Sequence, residues 1–316
     1  MREAIFIAAA GCLLSAVFCA ALIPLLKKLR AGQYILGYVE EHKAKSGTPT
    51  MGGLAFVFAA VCVAAVAGLF SDRLSLVAIT FGLAFLAVGF IDDFLKFRFH
   101  RNLGLKAYQK IFFQLSISVI AGVFCYLNGL TRINIPFSDY SFDIGFWIIP
   151  LCTLAFIATV NSVNLTDGLD GLAASVSFWY FASFSLLIFL LSNGRTGLSD
   201  LSLILCGVLA GYLIFNTNKA SVFMGDTGSL SLGGFAAAIG VFSGNALYIV
   251  IVGIMFVISS ISVIMQVIYY KRTKKRIFLM APLHHHFQKK GYSEGKIAYV
   301  YSLITAAAGL LCACFV

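Results

Sequence analysis

Long apolar segments follow one another along the chain, and within each segment the apolar residues are continuous rather than alternating. Continuous runs of this length are typical of membrane-spanning helices, which need about 20 mostly apolar residues to cross a bilayer. The pattern predicts about ten transmembrane helices, at residues 4–26, 51–70, 74–91, 109–128, 145–160, 171–191, 198–215, 229–243, 246–270 and 296–315. We therefore expect an all-α polytopic membrane protein, with residues 1–316 forming a single transmembrane domain.

The composition excludes several other classes of protein. Hydrophobic residues make up 60% of the chain and charged residues 11%, against about 25% charged residues in soluble domains. So little polar surface excludes a disordered chain, a nucleic-acid-binding domain and a disulfide scaffold, although the net charge is +10. The eight cysteines all lie inside apolar runs, and we interpret them as small buried hydrophobic residues.

Basic residues are distributed unevenly between the two sides of the predicted bundle. Counting lysine and arginine in alternate loops gives 19 on one side and four on the other. Cytoplasmic loops of membrane proteins carry the excess of these residues. We therefore predict that the basic side faces the cytoplasm and that both termini lie on the outer, periplasmic side. All five histidines and eight of the thirteen acidic residues also fall on the basic side, which predicts an active site on the cytoplasmic face.

The third predicted helix runs directly into two carboxylates, Asp92 and Asp93, with Lys96 about one helical turn further on. Neighbouring residues on a helix point about 100° apart, so the two acids are expected to play different roles. A solvated charge cluster at an interfacial helix end is one interpretation. Paired carboxylates at a membrane boundary more often hold a divalent metal ion or transfer protons.

Residues 161–172 interrupt two apolar runs with several polar side chains. Asp167 and Asp170 are three residues apart, so in a helical turn both would face the same way. Gly168 and Gly171 allow backbone or ligand to approach closely. A simple capped loop would need only one such polar residue, and the richer pattern favours a binding site.

Two further motifs lie on the same predicted face. Residues 223–229 place Asp226 among small residues at the start of a helix, where free N–H groups are suited to phosphate oxygens. This segment is not a Walker loop, because it lacks the GxxxxGK[ST] pattern. Residues 47–53, which follow Lys45, add a lysine and hydroxyl groups beside a proline turn.

Three consecutive histidines, His284, His285 and His286, follow the basic run at residues 271–276. A structural zinc site would need wider ligand spacing and cysteine partners. Contact with an anion or a substrate is therefore favoured over metal binding. The basic run is mainly a topology signal, and attraction to anionic membrane lipid is a second interpretation.

Taken together, these motifs resemble a known family of membrane enzymes. The strings that carry the resemblance are GTPTMGG at 47–53, DDFLK at 92–96, NSVNLTDGLDGLA at 161–173, FMGDTGSL at 223–230 and MAPLHHHF at 280–287. In this order they resemble the bacterial phospho-N-acetylmuramoyl-pentapeptide transferases (translocase I), a branch of the polyprenyl-phosphate N-acetylhexosamine-1-phosphate transferases. The acidic motifs are shared across that superfamily, and the triple-histidine string favours the muramoyl-pentapeptide branch.

The resemblance implies a reaction and a set of partners. It implies transfer of phospho-MurNAc-pentapeptide from UDP-MurNAc-pentapeptide to undecaprenyl phosphate, giving lipid I and UMP in peptidoglycan synthesis, with Mg²⁺ as cofactor. It also implies a multi-pass enzyme of the bacterial cytoplasmic (inner) membrane. Nucleic acid is not expected as a partner, and the Gly- and Ala-rich helices permit a homodimer.

The resemblance also implies roles for individual residues. Asp226, Asp92 and Asp93 are implied as metal ligands. The implied catalytic residues are Asp92, Asp93, Asp226, Lys96, Lys110 and His284. The implied substrate-binding residues are Lys45, Thr50, Asn164, Asp167, Asp170, Asn216, Phe223, Gln266, His285 and His286. Polyprenyl phosphate is largely dianionic at neutral pH, which favours its direct attack on the donor over a covalent aspartyl-phosphate intermediate.

Two other functions remain as alternatives. One is a sister enzyme that transfers GlcNAc-1-phosphate from UDP-GlcNAc to the same lipid, which the aspartate motifs alone do not exclude. The other is a cation- or proton-coupled transporter that uses membrane-embedded acids. A transporter is expected to carry polar residues near the middle of the bilayer, whereas here they cluster at the ends of the predicted helices.

Overall fold

A computed structural model describes residues 2–29, 47–99, 104–217 and 219–316 of the chain. Helices account for most of these residues. In chain order they are α1 (Arg2–Lys28), α2 (Gly53–Val66), α3 (Arg73–Phe99), α4 (Ala107–Leu127), α5 (Ile148–Thr166), α6 (Leu172–Leu191), α7 (Gly197–Asn216), α8 (Gly225–Phe242), α9 (Tyr248–Val252), α10 (Ile254–Thr273), α11 (Leu283–Lys289) and α12 (Glu294–Cys314). The predicted all-α membrane architecture is confirmed at this level.

Each predicted membrane segment contains a helix, but the helices differ in their ability to span a bilayer. Within the described ranges, eight helices are long and apolar enough to do so: α1, α3, α4, α5 with its preceding turn, α6, α7, α10 and α12. Helix α2 is apolar but has 14 residues. The ninth predicted segment is divided, because Gly253 separates α9 from α10. The count of ten spans stays a prediction.

Helix α8 forms the centre of the bundle. Sixteen of its 18 residues are buried, and α3 and α5 make its most extensive contacts. A helix buried on all sides needs no polar face, and α8 accordingly consists of small and apolar residues after its first turn. Its beginning therefore lies inside the bundle at one end, which we call the site end.

Glycines bring the helices around α8 into close contact. A Cβ atom on Gly53 would collide with the backbone of Gly228, and one on Gly89 would collide with the backbone carbonyl of Asp226. Small residues allow helix backbones to approach closely where lipid gives little drive for association. These two contacts fix α2 and α3 against the first turn of α8.

The opposite end of the bundle carries the strands of the described chain. Strands β1 (Arg132–Asn134) and β2 (Ser141–Asp143) pair in an antiparallel hairpin between α4 and α5. Both termini of the described chain lie at this end, where Glu3 pairs with Arg195 and the ring of Phe315 packs on Phe137. This hairpin end lies far from Asp226, since α8 is about 27 Å long.

Candidate active site

The loops and helix ends at the site end bring together residues from distant parts of the sequence. Helix α3 ends there, α4 begins there, α5 ends there and α8 begins there. Asp92 and Asp93 lie in the last turns of α3, Lys110 in the first turn of α4, and Asp226 in the first turn of α8. Convergence of these four helices, rather than any one motif, creates the site.

Three carboxylates form the centre of the site. One oxygen from each of Asp92, Asp93 and Asp226 lies within 4.8 Å of the others. Asp92 and Asp93 are buried, and the side chain of Asp226 is 16% exposed. Carboxylate oxygens at this spacing suit a hard divalent cation such as Mg²⁺.

Two lysines balance the charge of the carboxylates. The Nζ atom of Lys96 lies 2.7 Å from Asp92 Oδ2, 3.3 Å from Asp93 Oδ1 and 3.0 Å from Asp226 Oδ2. Lys110 Nζ lies 2.6 Å from Asp226 Oδ2 and 3.3 Å from Asp92 Oδ1. Two ammonium groups against three carboxylates leave one negative charge for a cation. We call these five residues the carboxylate–lysine cluster.

The two neighbouring acids of α3 have different partners, as their helical geometry predicts. Asp92 Oδ1 accepts a hydrogen bond from the backbone N–H of Leu105, in the α3–α4 connection, at 2.9 Å. Asp93 Oδ2 accepts hydrogen bonds from the backbone N–H and the hydroxyl of Thr227, at 2.9 and 2.7 Å. The carboxylate of Asp93 thus binds the polar groups in the first turn of α8, where the sequence suggested a phosphate site.

Asn164, near the end of α5, orients the third carboxylate. Its Nδ2 donates to Asp226 Oδ1 and to the hydroxyl of Ser229, both at 2.8 Å. Asp226 therefore has one oxygen held by an amide and the other by the two lysines. The placement of Asn164 beside Asp226 joins the motif at residues 161–173 to the one at residues 223–230.

Asp170 and Asn216 brace the loops around the site. Asp170 Oδ2 accepts from the backbone N–H of Ala220 at 2.9 Å, and Asn216 Oδ1 accepts from that of Gly171 at 3.2 Å. The backbone N–H of Asp170 donates to Glu294 Oε2 of α12 at 2.8 Å. Both predicted substrate-binding residues thus hold the α5–α6 and α7–α8 connections in place.

Asp167 lies at the end of α5, in the same loop. By surface area it is half-buried, yet protein atoms surround it closely. This desolvation, with the charges of Asp226 and Asp93 as further causes, raises the pKa of Asp167 to about 8. In its protonated form this carboxyl group can donate a hydrogen bond to a ligand.

Thr50 and Phe223 lie beside the entry to α8. The backbone N–H of Phe223 donates to the carbonyl of Pro49 at 2.8 Å, which pairs the segment before α2 with the segment before α8. A Cβ atom on Gly225, whose φ is +71°, would collide with Asp93 and with Thr50 Oγ1. Thr50 therefore lies next to the carboxylates. Lys45 lies outside the described residues.

Gln266 holds the segment that leads to the histidines. Its Oε1 accepts from the backbone N–H groups of Ile277 and Phe278 at 3.1 and 3.0 Å, and its Nε2 donates to the Phe278 carbonyl at 3.2 Å. The neighbouring Ser262 hydroxyl accepts from the N–H of Leu283 at 3.0 Å. Helix α10 thereby positions α11.

The three histidines have three different environments on α11. His284 is fully buried, and within the described ranges neither of its ring nitrogens has a hydrogen-bond partner. Burial, with His285 beside it, lowers the pKa of His284 to about 3. Both His284 and His285 direct Nε2 towards Gly168, where a Cβ atom would collide with them. His286 Nδ1 accepts from the N–H of Leu279 at 3.1 Å.

Several residues of the site were not predicted from the sequence. Thr227 and Ser229 belong to a quoted motif, but no role was assigned to them. Glu294 lies in the first turn of α12, and its carboxylate joins α11 to the α5–α6 loop through Gln288 and Asp170. Its acidic charge on the basic face was the only signal in the sequence.

Two family models match the chain. The model described as glycosyl transferase family 4 matches residues 74–244, and the model described as phospho-N-acetylmuramoyl-pentapeptide-transferase signature 1 matches residues 45–57. The first range contains the whole carboxylate–lysine cluster. The second contains the segment that packs beside Phe223 and Gly225.

Relatives of assigned function are similar to the chain over most of its length. A phospho-N-acetylmuramoyl-pentapeptide-transferase of Clostridium botulinum (strain Alaska E43 / Type E3) is 43% identical over 284 residues, which cover 90% of this chain and 87% of the relative. One of Caldanaerobacter subterraneus subsp. tengcongensis is 42% identical over 287 residues, 90% of each chain. One of Thermoanaerobacter sp. (strain X514) is 41% identical over 290 residues, 92% of this chain and 91% of the relative.

Proposed function

Because the chain belongs to the phospho-N-acetylmuramoyl-pentapeptide-transferase family, we propose that the carboxylate–lysine cluster is the centre at which it carries out that family's reaction. The protein is a multi-pass bacterial membrane enzyme of peptidoglycan synthesis. It transfers phospho-MurNAc-pentapeptide from UDP-MurNAc-pentapeptide to undecaprenyl phosphate and forms lipid I. The predicted family resemblance is confirmed by the identity over 90% of the chain.

One observation carries the assignment of the centre. Three carboxylates and two lysines from α3, α4 and α8 meet within hydrogen-bonding distance at one end of the helical bundle. A centre at this depth can reach a polyprenyl phosphate held in the membrane and a nucleotide sugar that arrives from water. We place this end at the cytoplasmic face of the inner membrane, because the basic loops are expected there.

Mg²⁺ fits the donor set of the cluster. Asp92, Asp93 and Asp226 would hold the ion, since their oxygens are close together and their charge exceeds that of the lysines by one. When bound, Mg²⁺ supplies stabilisation of the negative charge that develops on the departing UMP phosphate. Asn164 orients the carboxylate of Asp226 by donating to its Oδ1.

The two lysines of the cluster bind the phosphate groups of both substrates. Lys96 and Lys110 both donate to Asp226 Oδ2, and their ammonium groups can turn towards phosphate oxygens that enter the cluster. An oxygen of the polyprenyl phosphate forms a bond to the sugar-side phosphorus of the donor. The bond from that phosphorus to the bridging oxygen breaks, and UMP leaves with the electron pair.

Direct attack needs no proton removal, because a phosphomonoester is largely dianionic at neutral pH. Asp92 then orients Lys96 and Lys110 rather than acting as a base, in keeping with its contacts to both ammonium groups. A covalent aspartyl-phosphate intermediate is the alternative route. It would leave phospho-MurNAc-pentapeptide bonded to an aspartate after UMP release in the absence of the lipid.

The remaining residues bind the nucleotide sugar. We assign this role to Thr50 before α2, Asn164 and Asp167 at the end of α5, Asp170 in the α5–α6 connection, Asn216 at the end of α7, Phe223 before α8, Gln266 on α10, His284, His285 and His286 on α11, and Lys45, which lies outside the described residues. Of these, Asp170, Asn216 and Gln266 act by holding loop backbone. His284, whose ring nitrogens have no hydrogen-bond partner among the described residues, and Asp167 are the side chains we expect to contact the ligand directly.

The test is UMP release by the purified protein in detergent, with undecaprenyl phosphate and Mg²⁺. UDP-MurNAc-pentapeptide and UDP-GlcNAc are offered in parallel reactions. We expect release from the muramoyl substrate only, and its loss when EDTA removes the metal. Release from UDP-GlcNAc alone would assign the chain to the sister activity. Silence with both donors, in folded protein supplied with metal, would overturn the proposed function.

A further inference from the structure

An amide pair lies one layer deeper in the bundle than the carboxylate–lysine cluster. Asn161 Nδ2, on α5, donates to Gln114 Oε1, on α4, at 2.7 Å, and Gln114 Nε2 lies 3.5 Å from Asn161 Oδ1. Gln114 is fully buried, although most residues of α4 around it face outward. The established chemistry of the site gives this pair no role.

The pair is aligned with two residues of the cluster. On α4, Gln114 follows Lys110 by four residues, so the two side chains lie on the same face of the helix. On α5, Asn161 precedes Asn164 by three residues, with the same result. The two helices run in opposite directions, so Lys110 lies level with Asn164 and Gln114 lies level with Asn161. Lys110 and Asn164 hold the two oxygens of Asp226, and the amides join the same two helices one turn below.

In a membrane, a hydrogen-bonded pair of this kind fixes how two helices are placed against each other. Lipid tails do not drive apolar helices together, so packing and hydrogen bonds between helices set their relative rotation and depth. Asn161 is fixed further by a second donation, to the Ile157 carbonyl at 2.8 Å. A shift of α4 against α5 would break the amide contact and would also move Lys110 relative to Asn164.

We propose that Gln114 and Asn161 are positioning residues for the transfer reaction. They hold α4 and α5 in the register at which Lys110 Nζ and Asn164 Nδ2 meet the two oxygens of Asp226. This inference rests on the proposed function of the cluster. It assigns the pair to the catalytic step, because Lys110 and Asn164 both contact the carboxylate of Asp226.

The experiment measures kcat and KM for Gln114→Leu, Asn161→Leu and the double variant, by UMP release with the lipid acceptor in excess. A misplacement of about 1 Å at a catalytic group can cost about 100-fold in rate. We expect kcat to fall between about tenfold and 100-fold in each single variant, with KM for UDP-MurNAc-pentapeptide within about twofold of wild type. The double variant should be no worse than the worse single one, because the two residues act as one contact.

The chain offers a matched control at the hairpin end of the bundle. Asn134 Nδ2 donates to Asn245 Oδ1 at 2.9 Å, and Asn245 is buried, so this is another amide pair that joins two elements. Asn245→Leu removes it without touching α4, α5 or the cluster. We expect this variant to lose thermal stability comparably to Gln114→Leu while keeping kcat within about twofold of wild type.

A rescue variant separates positioning from simple loss of packing. Exchanging the two side chains, as Gln114→Asn with Asn161→Gln, keeps one long and one short amide across the same gap. We expect the exchange to restore most of the lost kcat. Equal kcat in wild type and Gln114→Leu, a loss as large in Asn245→Leu, or an effect on KM alone would overturn the inference. An inactive wild-type protein would instead contradict the proposed function.

Discussion

At the scale of single residues, the three aspartates of the site lie in three different environments. Asp92 is bonded to the α3–α4 connection, Asp93 to the first turn of α8, and Asp226 to Asn164 and both lysines. Asp226 has the most exposed side chain of the three and, like Asp92, contacts both ammonium groups. We therefore expect its oxygens to be the most accessible of the three carboxylates to substrate and metal.

Replacing Asp226 with asparagine tests this assignment. Asp226→Asn keeps the size of the side chain but removes the charge that holds Lys96 and Lys110. We expect UMP release to fall by about 10²- to 10³-fold or more, as for other electrostatic groups at reacting centres. The measurement is turnover at saturating substrate, together with a melting curve in detergent. Asp143→Asn, on the exposed strand β2, is the control and should retain activity; near-wild-type turnover in Asp226→Asn would contradict the assignment.

The buried imidazole of His284 predicts a dependence of stability on pH. Its folded pKa of about 3 lies below the ordinary value of about 6.5, so the unfolded chain takes up a proton between these values and the folded chain does not. Stability from His284 is therefore present above pH 6.5 and lost as pH falls towards 3. At pH 4.5 we expect the free energy of unfolding to be about 2.5 kcal/mol lower than at pH 7 because of this group.

The test compares apparent melting temperatures at pH 7 and pH 4.5 for wild type and His284→Gln. Glutamine does not titrate, so the variant should lose less stability on acidification than wild type does. The difference between the two pH values is the quantity of interest, because the substitution also changes stability at pH 7. An equal fall in both proteins would show that His284 does not carry the effect.

At the scale of helices, close backbone contacts decide where the functional side chains meet. Gly89 lies one turn before Asp93 on α3 and touches the backbone of Asp226 on α8. Any side chain there would separate α3 from the first turn of α8. The distance between Asp93 and Thr227, and with it the spacing of the three carboxylates, depends on that contact.

Gly89→Ala should therefore affect activity strongly for a change of one methyl group. We expect kcat to fall by at least about tenfold, since the added Cβ must displace α8 relative to α3. Gly295→Ala is the matched control, because Gly295 also lies in a helix, α12, and has open space around its Cβ position. The control should be active and slightly more stable. Equal activity in the two variants would contradict the proposed role of the contact.

The sequence predicted most of the helices but not all of their relations. Continuous apolar runs located a helix in every predicted segment, because burial in lipid and helix formation both depend on local composition. The break at Gly253 was not predicted, because a single glycine is also common inside an unbroken membrane helix. The Gln114–Asn161 contact was not predicted either, because it depends on which faces of α4 and α5 meet.

The sequence predicted some residues of the candidate site more completely than others. Asp92, Asp93, Lys96 and Asp226 were named from local motifs, and the structure brings them together. Asp170, Asn216 and Gln266 were named as substrate ligands, which stays a prediction, and the structure adds that each of them accepts a hydrogen bond from loop backbone. Such bonds join residues that are far apart in sequence, so they cannot be predicted from the spacing of residues along the chain.

At the scale of the whole molecule, polarity divides the bundle into two unlike ends. The site end holds the carboxylate–lysine cluster and the histidines of α11, and the hairpin end carries the small sheet and exposed aromatic residues such as Tyr140 and Trp147. Trp and Tyr are enriched where a membrane meets water. The two ends are expected to face different compartments, with the site end in the cytoplasm.

Labelling of single cysteines tests this orientation. Asn193→Cys lies in the turn between α6 and α7 at the hairpin end, and Gly291→Cys lies between α11 and α12 at the site end. The exposed Cys314 is first replaced by serine. A membrane-impermeant maleimide should label Asn193→Cys in intact cells and Gly291→Cys only after permeabilisation. The reverse pattern would invert the predicted topology.

The burial of α8 affects how the protein is made. Helix α8 starts with Gly225 and Asp226, contains five glycines, and presents almost no surface outside the bundle. A segment like this gains little from entering lipid by itself, because its backbone and its carboxylate find no partners there. Its main neighbours, α3 and α5, precede it in the chain and leave the ribosome first. The partners of α8 are thus already synthesised when the helix that carries Asp226 emerges, and the order of the elements along the gene suits the insertion of this polar helix between them.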